Sequence, residues 1–160
     1  MAMDLQRHGS GSSLLFIHGA GGTAKTWSLL QAQLASRFEV IVLDLPGHGS
    51  SSADGCRSID EYAQILSEAM DRAGLRTCCA IGHSMGGAIA MRLALTRPSA
   101  LSGLVLIGTG AKLKVFPAII EMVLREPESA YRHIIDFAFS AKAPAAMKEA
   151  AYQEYLHNRA

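Results

Sequence analysis

The sequence predicts an α/β domain built on a mostly parallel sheet. Short apolar segments alternate with segments of helical periodicity, which is the pattern of buried strands joined by helical crossovers. The chain has 160 residues, of which 49% are hydrophobic, so one core can form without support from disulfides or metals. The alternation ends after Lys112. We therefore expect the sheet domain over residues 1–111 and a helical lid over residues 112–160.

Four strands are predicted, each from a short apolar run with glycine or a turn residue beside it. Such runs are typical of parallel strands, because both faces of these strands are buried. They cover residues 14–17, 40–45, 78–82 and 104–107.

Three helices are predicted between these strands. The clearest begins after Ser58, which is expected to form a capping box with Glu61, and it ends at Gly74. The other two cover residues 23–37 and 84–97.

The lid is predicted to consist of two or three short helices without a strand. Pro117, Pro127 and Pro144 each stand where the first turn of a helix tolerates proline. Six of the ten aromatic residues also fall in residues 112–160. They suit either an apolar lid face or the packing of the helices on the sheet.

Composition and charge exclude several classes of protein. The formal net charge is +1 and no long basic run is present, so nucleic acid is not an expected partner. Polar residues interrupt every long apolar run, which argues against a membrane span, and Asp4 and Arg7 interrupt the place of a signal peptide. Cys56, Cys78 and Cys79 form no CxxC pair, and this odd number of thiols predicts a reducing, cytoplasmic compartment.

The strongest functional signal is the segment GHSMGG, which follows a predicted strand and begins a predicted helix. A G-x-S-x-G pattern in this context indicates a strained turn that exposes Ser84 above the sheet edge, where it would act as a nucleophile. Gly82 and Gly86 remove side chains that would collide at the turn, while His83 and Met85 flank the serine. The following helix directs its free N–H groups at the site, which suits an anionic intermediate.

A second segment, HGAGG, follows the predicted strand over residues 14–17 and carries His18, Gly19 and Ala20. A glycine-rich loop of this kind can aim a backbone N–H at a neighbouring site. We expect the N–H groups of Ala20 and Met85 to bind the oxyanion of an acyl-transfer intermediate. Gly19 would let the backbone approach closely.

A third segment, DLPGHGSS, is expected to form a tight turn in which Asp44 accepts backbone hydrogen bonds rather than acting in catalysis. The order and spacing of HGAGG, DLPGHGSS and GHSMGG resemble the N-terminal part of serine hydrolases of the α/β-hydrolase fold. The resemblance is closest to capped carboxylesterases and carbon–carbon bond hydrolases. It implies a helical cap, a small-molecule ester-like substrate, and neither a cofactor nor a metal.

The resemblance also implies a catalytic acid and then a catalytic histidine after Ser84 in chain order. In most capped members these two residues follow the lid. We therefore expect both beyond Ala160 and interpret the chain as truncated, without the C-terminal strands of the fold. His18 and His48 lie near the same predicted sheet edge, so either histidine could stand in for the missing base.

An incomplete sheet would leave the predicted strand between Leu104 and Ile107 with an uncovered apolar edge. We expect either a missing C-terminal segment or self-association with a second copy of the chain to cover it. Without the acid and the base, hydrolysis by these 160 residues alone is expected to be weak or absent.

The substrate and two other functions stay open at this point. Apolar residues of the lid, among them Phe116 and Phe137, would suit a small or medium apolar group. A non-catalytic binding module could keep the hydrolase scaffold, because fold does not fix function. A P-loop NTPase would use GAGGTAKT with Lys25 and Asp44, although Ala24 stands where that motif needs glycine.

Overall fold

The computed structural model describes residues 3–112 and 115–156. Five strands form one sheet: β1 (Leu5–His8), β2 (Ser13–Ile17), β3 (Glu39–Leu43), β4 (Cys78–His83) and β5 (Leu101–Ile107). Their order is β1-β3-β2-β4-β5, in which β1 runs antiparallel to β3 and all other neighbours are parallel. The predicted fold class, an α/β protein with a mostly parallel sheet, is therefore confirmed.

Strand β1 has no counterpart among the strands predicted from the sequence. It pairs with β3 at the edge of the sheet, and Leu5 is the one residue of this strand that is partly buried. A polar edge strand contains no continuous apolar run. The pattern that reveals strands buried on both faces therefore misses it.

The core helices are α1 (Ser28–Leu34), α2 (Ile59–Arg72) and α3 (Met85–Thr96). Ser58 caps α2 as predicted, with its Oγ accepting the N–H of Glu61 at 3.2 Å. The capping box is incomplete, because the Glu61 carboxylate accepts the N–H of Arg57 at 2.8 Å. The helix predicted over residues 23–37 is divided into a short 3-10 helix (Ala24–Trp27) and α1.

The core lies on both faces of the sheet. On one face, α2 and α3 bury Leu66, Met70 and Leu93 against the strands. On the other face, Phe16 packs against Trp27 with their ring centroids 5.1 Å apart. Because β2, β3 and β4 are parallel, their carboxyl ends meet at one edge of the sheet. Ligands bind at this edge in open parallel sheets.

Strand β5 forms the other edge of the described sheet. The side chains of Leu104, Val105, Leu106 and Ile107 are 39–44% exposed. Within the described residues, β5 pairs with β4 alone. An apolar edge strand of this kind is a template for pairing with another strand. Its coverage by further chain or by a second copy stays a prediction.

The lid segment contains α4 (Pro117–Arg125), α5 (Pro127–Ala138) and α6 (Ala145–Leu156). Two of these helices begin at the prolines expected to open them, and the third begins directly after Pro144. The division into a core over residues 1–111 and a lid stays a prediction, and predicted lid residues 113, 114 and 157–160 lie outside the described residues. No helix in the described part of the chain has the length and apolar character needed to cross a membrane.

The lid aromatics serve more than one role. Phe116 and Phe137 are 70% and 89% exposed, so neither packs on the sheet. Tyr152 is buried, and the rings of Tyr131 and Tyr155 lie 5.3 Å apart. The predicted apolar lining of a substrate pocket by Phe116 and Phe137 has no support in these contacts.

Candidate active site

Ser84 occupies the turn between β4 and α3. Its backbone has φ 51° and ψ −118°, and among the described residues no other non-glycine residue has a positive φ. The N–H of Ser84 donates to the carbonyl oxygen of Ile107 at 2.9 Å, which fixes the turn to the end of β5. A serine in this region is strained by about 1 to 3 kcal/mol, and such strain persists only where the surrounding structure imposes it.

The glycines of GHSMGG are required by space. A Cβ on Gly82 would lie 2.4 Å from the carbonyl oxygen of Gly86, and a Cβ on Gly86 would lie 2.2 Å from that of Ile17. A Cβ on Gly87 would meet the Thr109 side chain at 2.4 Å. The start of α3 therefore packs directly on the ends of β2 and β4. A larger residue at position 82 or 86 would force the backbone of α3 or of the strand ends to shift.

The loop after β2 reaches this turn. A Cβ on Gly19 would lie 3.1 Å from the Cβ of Ser84 and 3.0 Å from Nδ1 of His83. The sequence-predicted segments HGAGG and GHSMGG are therefore in direct contact. The N–H groups of Ala20 and Met85 donate to no acceptor within the described residues. One of these unused donors directly follows Ser84 in the chain, and the other directly follows Gly19, which contacts the Ser84 turn.

His18 is buried and both of its ring nitrogens are occupied. Nε2 accepts the N–H of Leu45 at 3.0 Å, so Nδ1 carries the proton and donates to the carbonyl oxygen of Gly19 at 2.8 Å. Burial lowers the pKa of His18 to about 4. The His48 ring packs against it at a tilt of 56°, with the ring centroids 5.1 Å apart, and Nδ1 of His48 lies 2.9 Å from the carbonyl oxygen of Pro46.

These contacts decide the role of His18. The alternative that it replaces the missing base is wrong, because neither nitrogen is available and the ring stays neutral. His18 instead fixes the loop that carries Ala20. Among the described residues, no side chain hydrogen-bonds the hydroxyl of Ser84, and this includes His48 and the adjacent His83. Burial lowers the pKa of both of these histidines.

Asp44 has the structural role expected of it. Its carboxylate accepts the N–H of Ala24 at 2.7 Å, and the N–H and hydroxyl of Ser50 at 2.8 and 2.7 Å. Burial would raise the pKa of Asp44, but these hydrogen bonds outweigh it and the pKa is lowered. The P-loop alternative is wrong, because the N–H of Ala24 is bound to a carboxylate and Lys25 is exposed, with no cradle left for phosphate.

The structure adds two lid residues that the sequence analysis does not single out. Glu154 of α6 accepts hydrogen bonds from Thr23 and Thr26, and the ring of Tyr155 lies where a Cβ on Gly21 would stand. The lid therefore contacts the loop that carries Ala20. No sequence signal links these residues, because the pairs are separated by 128 and 131 positions.

One cavity among the described residues lies away from this turn. It has a volume of about 300 Å³ and is lined by residues of α2 and α3 and by Arg97, which directly follows α3. The guanidinium of Arg97 donates to Asp71 and Ser67. Ser84 does not line this cavity.

Comparison with known families agrees with the fold. A family model described as the alpha/beta hydrolase fold matches residues 13–140. The chain belongs to this family. The resemblance seen in the three sequence segments is thereby confirmed.

Relatives with curated names cover part of the chain. One is a pimeloyl-[acyl-carrier protein] methyl ester esterase of Aliivibrio fischeri, 34% identical over 108 residues, which is 67% of this chain and 40% of that protein. Another is the dihydrolipoyllysine-residue acetyltransferase component of an acetoin cleaving system of Cupriavidus necator, 35% identical over 103 residues, 64% of this chain and 28% of that protein. The matched segment thus spans less than half the length of either relative.

A solved structure gives the same result for the fold. The thermophilic esterase of Thermogutta terrifontis superposes with a TM-score of 0.84 at 26% identity. The match covers 98% of this chain and 62% of that esterase. The chain is therefore similar in structure to this esterase over almost all of its own length, including the predicted lid.

Proposed function

We propose that this chain carries the nucleophile and oxyanion hole of a serine hydrolase that cleaves carboxylic esters or related acyl and carbon–carbon bonds. The observation that carries this proposal is the strained φ of Ser84 between glycines that cannot be replaced. A scaffold without catalysis has no need of such a turn, whereas a nucleophile elbow requires it. Family membership and esterase-named relatives support the same chemistry.

In the proposed reaction, Oγ of Ser84 attacks the carbonyl carbon of the substrate while a base accepts its proton. The N–H groups of Ala20 and Met85 then bind the oxyanion of the tetrahedral intermediate, and the positive end of α3 adds to this stabilisation. The intermediate collapses to an acyl enzyme and expels the alcohol, or the carbon leaving group, which takes the proton from the base. Water then hydrolyses the acyl enzyme, which releases the acid and regenerates the Ser84 hydroxyl. Both donors are free for this role within the described residues.

We infer that the acid and the base come from outside residues 3–112 and 115–156. The described histidines near the turn do not hydrogen-bond Ser84. The carboxylate of Asp44 binds Ala24 and Ser50 of two loops and does not orient a histidine. By this proposal, the 160 residues alone hydrolyse esters weakly or not at all. The proposed small apolar ester substrate and a cytoplasmic location rest on the sequence.

The full-length protein tests this function by mass spectrometry before and after treatment with a fluorophosphonate. We expect one covalent adduct, which is lost in Ser84→Ala and retained in Ser99→Ala, a matched change of an exposed serine. Hydrolysis of p-nitrophenyl esters of increasing chain length should show the same dependence on Ser84.

Two results would overturn the proposal. An adduct that survives in Ser84→Ala would place the nucleophile elsewhere. Absence of both labelling and hydrolysis in the full-length protein would favour the non-catalytic binding module. Turnover of charged or peptide substrates alone would refute the apolar ester while leaving Ser84 as the nucleophile.

A further inference from the structure

We propose that Glu154 of α6 is a positioning residue for the oxyanion donor Ala20, so that the docked lid helix sets the geometry of the oxyanion hole. This inference rests on the proposed function of Ser84 and deepens it. It concerns a residue of the lid that does not touch the reacting atoms.

Three hydrogen bonds converge on one oxygen atom of Glu154. Its Oε1 accepts the backbone N–H of Thr23 at 2.8 Å, the hydroxyl of Thr23, and the hydroxyl of Thr26 at 2.8 Å. Hydrogen bonds to an ionised acceptor are about twice as strong as neutral ones. Thr23 is 5% exposed, and without the carboxylate its N–H would keep only the longer hydrogen bond to Oγ1 of Thr26 at 3.2 Å.

The neighbouring Tyr155 closes the same contact. A Cβ on Gly21 would lie 2.1 Å from Cε1 of the Tyr155 ring, so this ring rests directly on the backbone of the loop. Tyr131 of α5 packs against Tyr155 with ring centroids 5.3 Å apart. Two lid helices therefore contribute to the surface that covers the loop.

Further contacts of the loop come from the core. The carbonyl oxygen of Gly19 accepts from His18 and from the N–H of Gly22, and Ala24 donates to Asp44. Ala20 lies between these fixed points. The lid supplies the contacts at Gly21 and Thr23, which stand one and three positions after Ala20 in the chain.

This arrangement predicts an effect on the transition state rather than on substrate binding. Loss of one oxyanion donor costs about 10²- to 10³-fold in kcat. A donor that is displaced but still present should cost less, about tenfold. The Michaelis complex does not contain the oxyanion, so KM should change little.

The test uses Glu154→Ala and Glu154→Gln in the full-length protein, with Glu149→Ala as the matched control. Glu149 lies on the same helix and pairs with Arg132 within the lid, without contact to the loop. We measure kcat, KM and the inhibition constant of a trifluoromethyl ketone, which forms a tetrahedral oxyanion on serine.

We expect Glu154→Ala to lower kcat about tenfold and to raise the inhibition constant of the ketone about tenfold. KM should stay within about twofold of wild type. Glu154→Gln keeps an acceptor oxygen and should recover most of the loss. Glu149→Ala should behave as wild type. If Glu154→Ala does not fold, Thr26→Val removes one of the three donors and should weaken the ketone by about twofold to threefold.

Unchanged kcat and ketone affinity in folded Glu154 variants would overturn the inference. A rise in KM with unchanged kcat would also overturn it, because that result assigns Glu154 to substrate binding. Failure of the proposed function itself is recognised separately, since wild-type hydrolysis would then not depend on Ser84.

Discussion

Gly86 packs so closely on Ile17 that a Cβ at position 86 would lie 2.2 Å from the Ile17 carbonyl oxygen. Gly86→Ala must therefore push α3 away from β2, and we expect it to lower the free energy of unfolding by roughly 3 kcal/mol. Urea denaturation measures this change. Gly110→Ala is the matched control, because nothing lies within 4 Å of its Cβ position. Equal stability of the two variants would contradict the close packing.

Ser84 stores strain that glycine would release. At φ 51° we expect Ser84→Gly to be more stable than Ser84→Ala by about 1 kcal/mol, although glycine loses more chain entropy on folding. The same pair of changes at Ser99, which has no positive φ, should show the opposite order. Thermal denaturation of the four variants measures both differences. A more stable Ala variant at position 84 would mean that the turn is not strained.

Asp44 joins two loops, and its replacement should loosen both. Asp44→Asn replaces one acceptor oxygen by an amide group that can only donate, and this group would face N–H groups that also donate. We therefore expect the free energy of unfolding to fall by about 2 kcal/mol at neutral pH. Because the pKa of Asp44 is lowered in the fold, its contribution is present above the unfolded pKa and is lost as pH falls through the folded pKa. The difference between wild type and variant should therefore shrink in acid.

Urea denaturation across the acidic range measures this difference. Asp60→Asn is the control, since Asp60 forms an exposed ion pair with Arg92 and should cost less than about 1 kcal/mol. A gap between wild type and Asp44→Asn that stays constant in acid would show that the charge of Asp44 contributes nothing.

Burial of His18 should make the fold acid-sensitive at a higher pH than the carboxylates do. Its pKa falls from 6.5 to about 4 on folding, so the unfolded chain binds the proton first and stability declines as pH falls from 6.5 toward 4. The decline should reach about 2 kcal/mol near pH 5. His48 and Asp44 face His18 and shift the window slightly, in opposite directions.

The measurement is the free energy of unfolding in urea between neutral pH and pH 5, for wild type and His18→Gln. The variant should be less stable at neutral pH, because glutamine does not reproduce both hydrogen bonds of the buried ring. It should show a flatter pH dependence, because glutamine cannot take up a proton. Identical slopes for the two proteins would assign the acid sensitivity to other groups.

The exposed edge of β5 predicts association of chains that contain only these 160 residues. Val105→Lys places a charge on the edge strand, which should oppose strand pairing and increase the monomer fraction in sedimentation velocity. Leu29→Lys makes the same kind of change at an exposed position of α1 and should have no effect. A monomer in all three cases would exclude a second copy as the cover of β5.

The sequence predicted those parts of the molecule whose signal is local. Parallel strands are apolar runs, and the strained turn at Ser84 requires glycines at fixed positions beside it, so both can be identified from neighbouring residues. The hydrogen bonds that hold the His18 ring could not be predicted, because the N–H that donates to its Nε2 belongs to Leu45, which follows a different strand. Glu154 was missed for the same reason, since its partners lie more than 100 positions away and helix α6 carries no motif.

The anchors of the loop at Ala20 differ in how far they lie along the chain. Asp44 is 20 positions from Ala24, whereas Glu154 is 131 positions from Thr23. Short contacts close first during folding, and N-terminal segments leave the ribosome before C-terminal ones. The sheet and the Ser84 turn can therefore be assembled while the loop still lacks its second anchor. By the proposed function, a nascent chain would form the turn of its proposed nucleophile early and would fix the proposed oxyanion donor at Ala20 only after α6 has been synthesised.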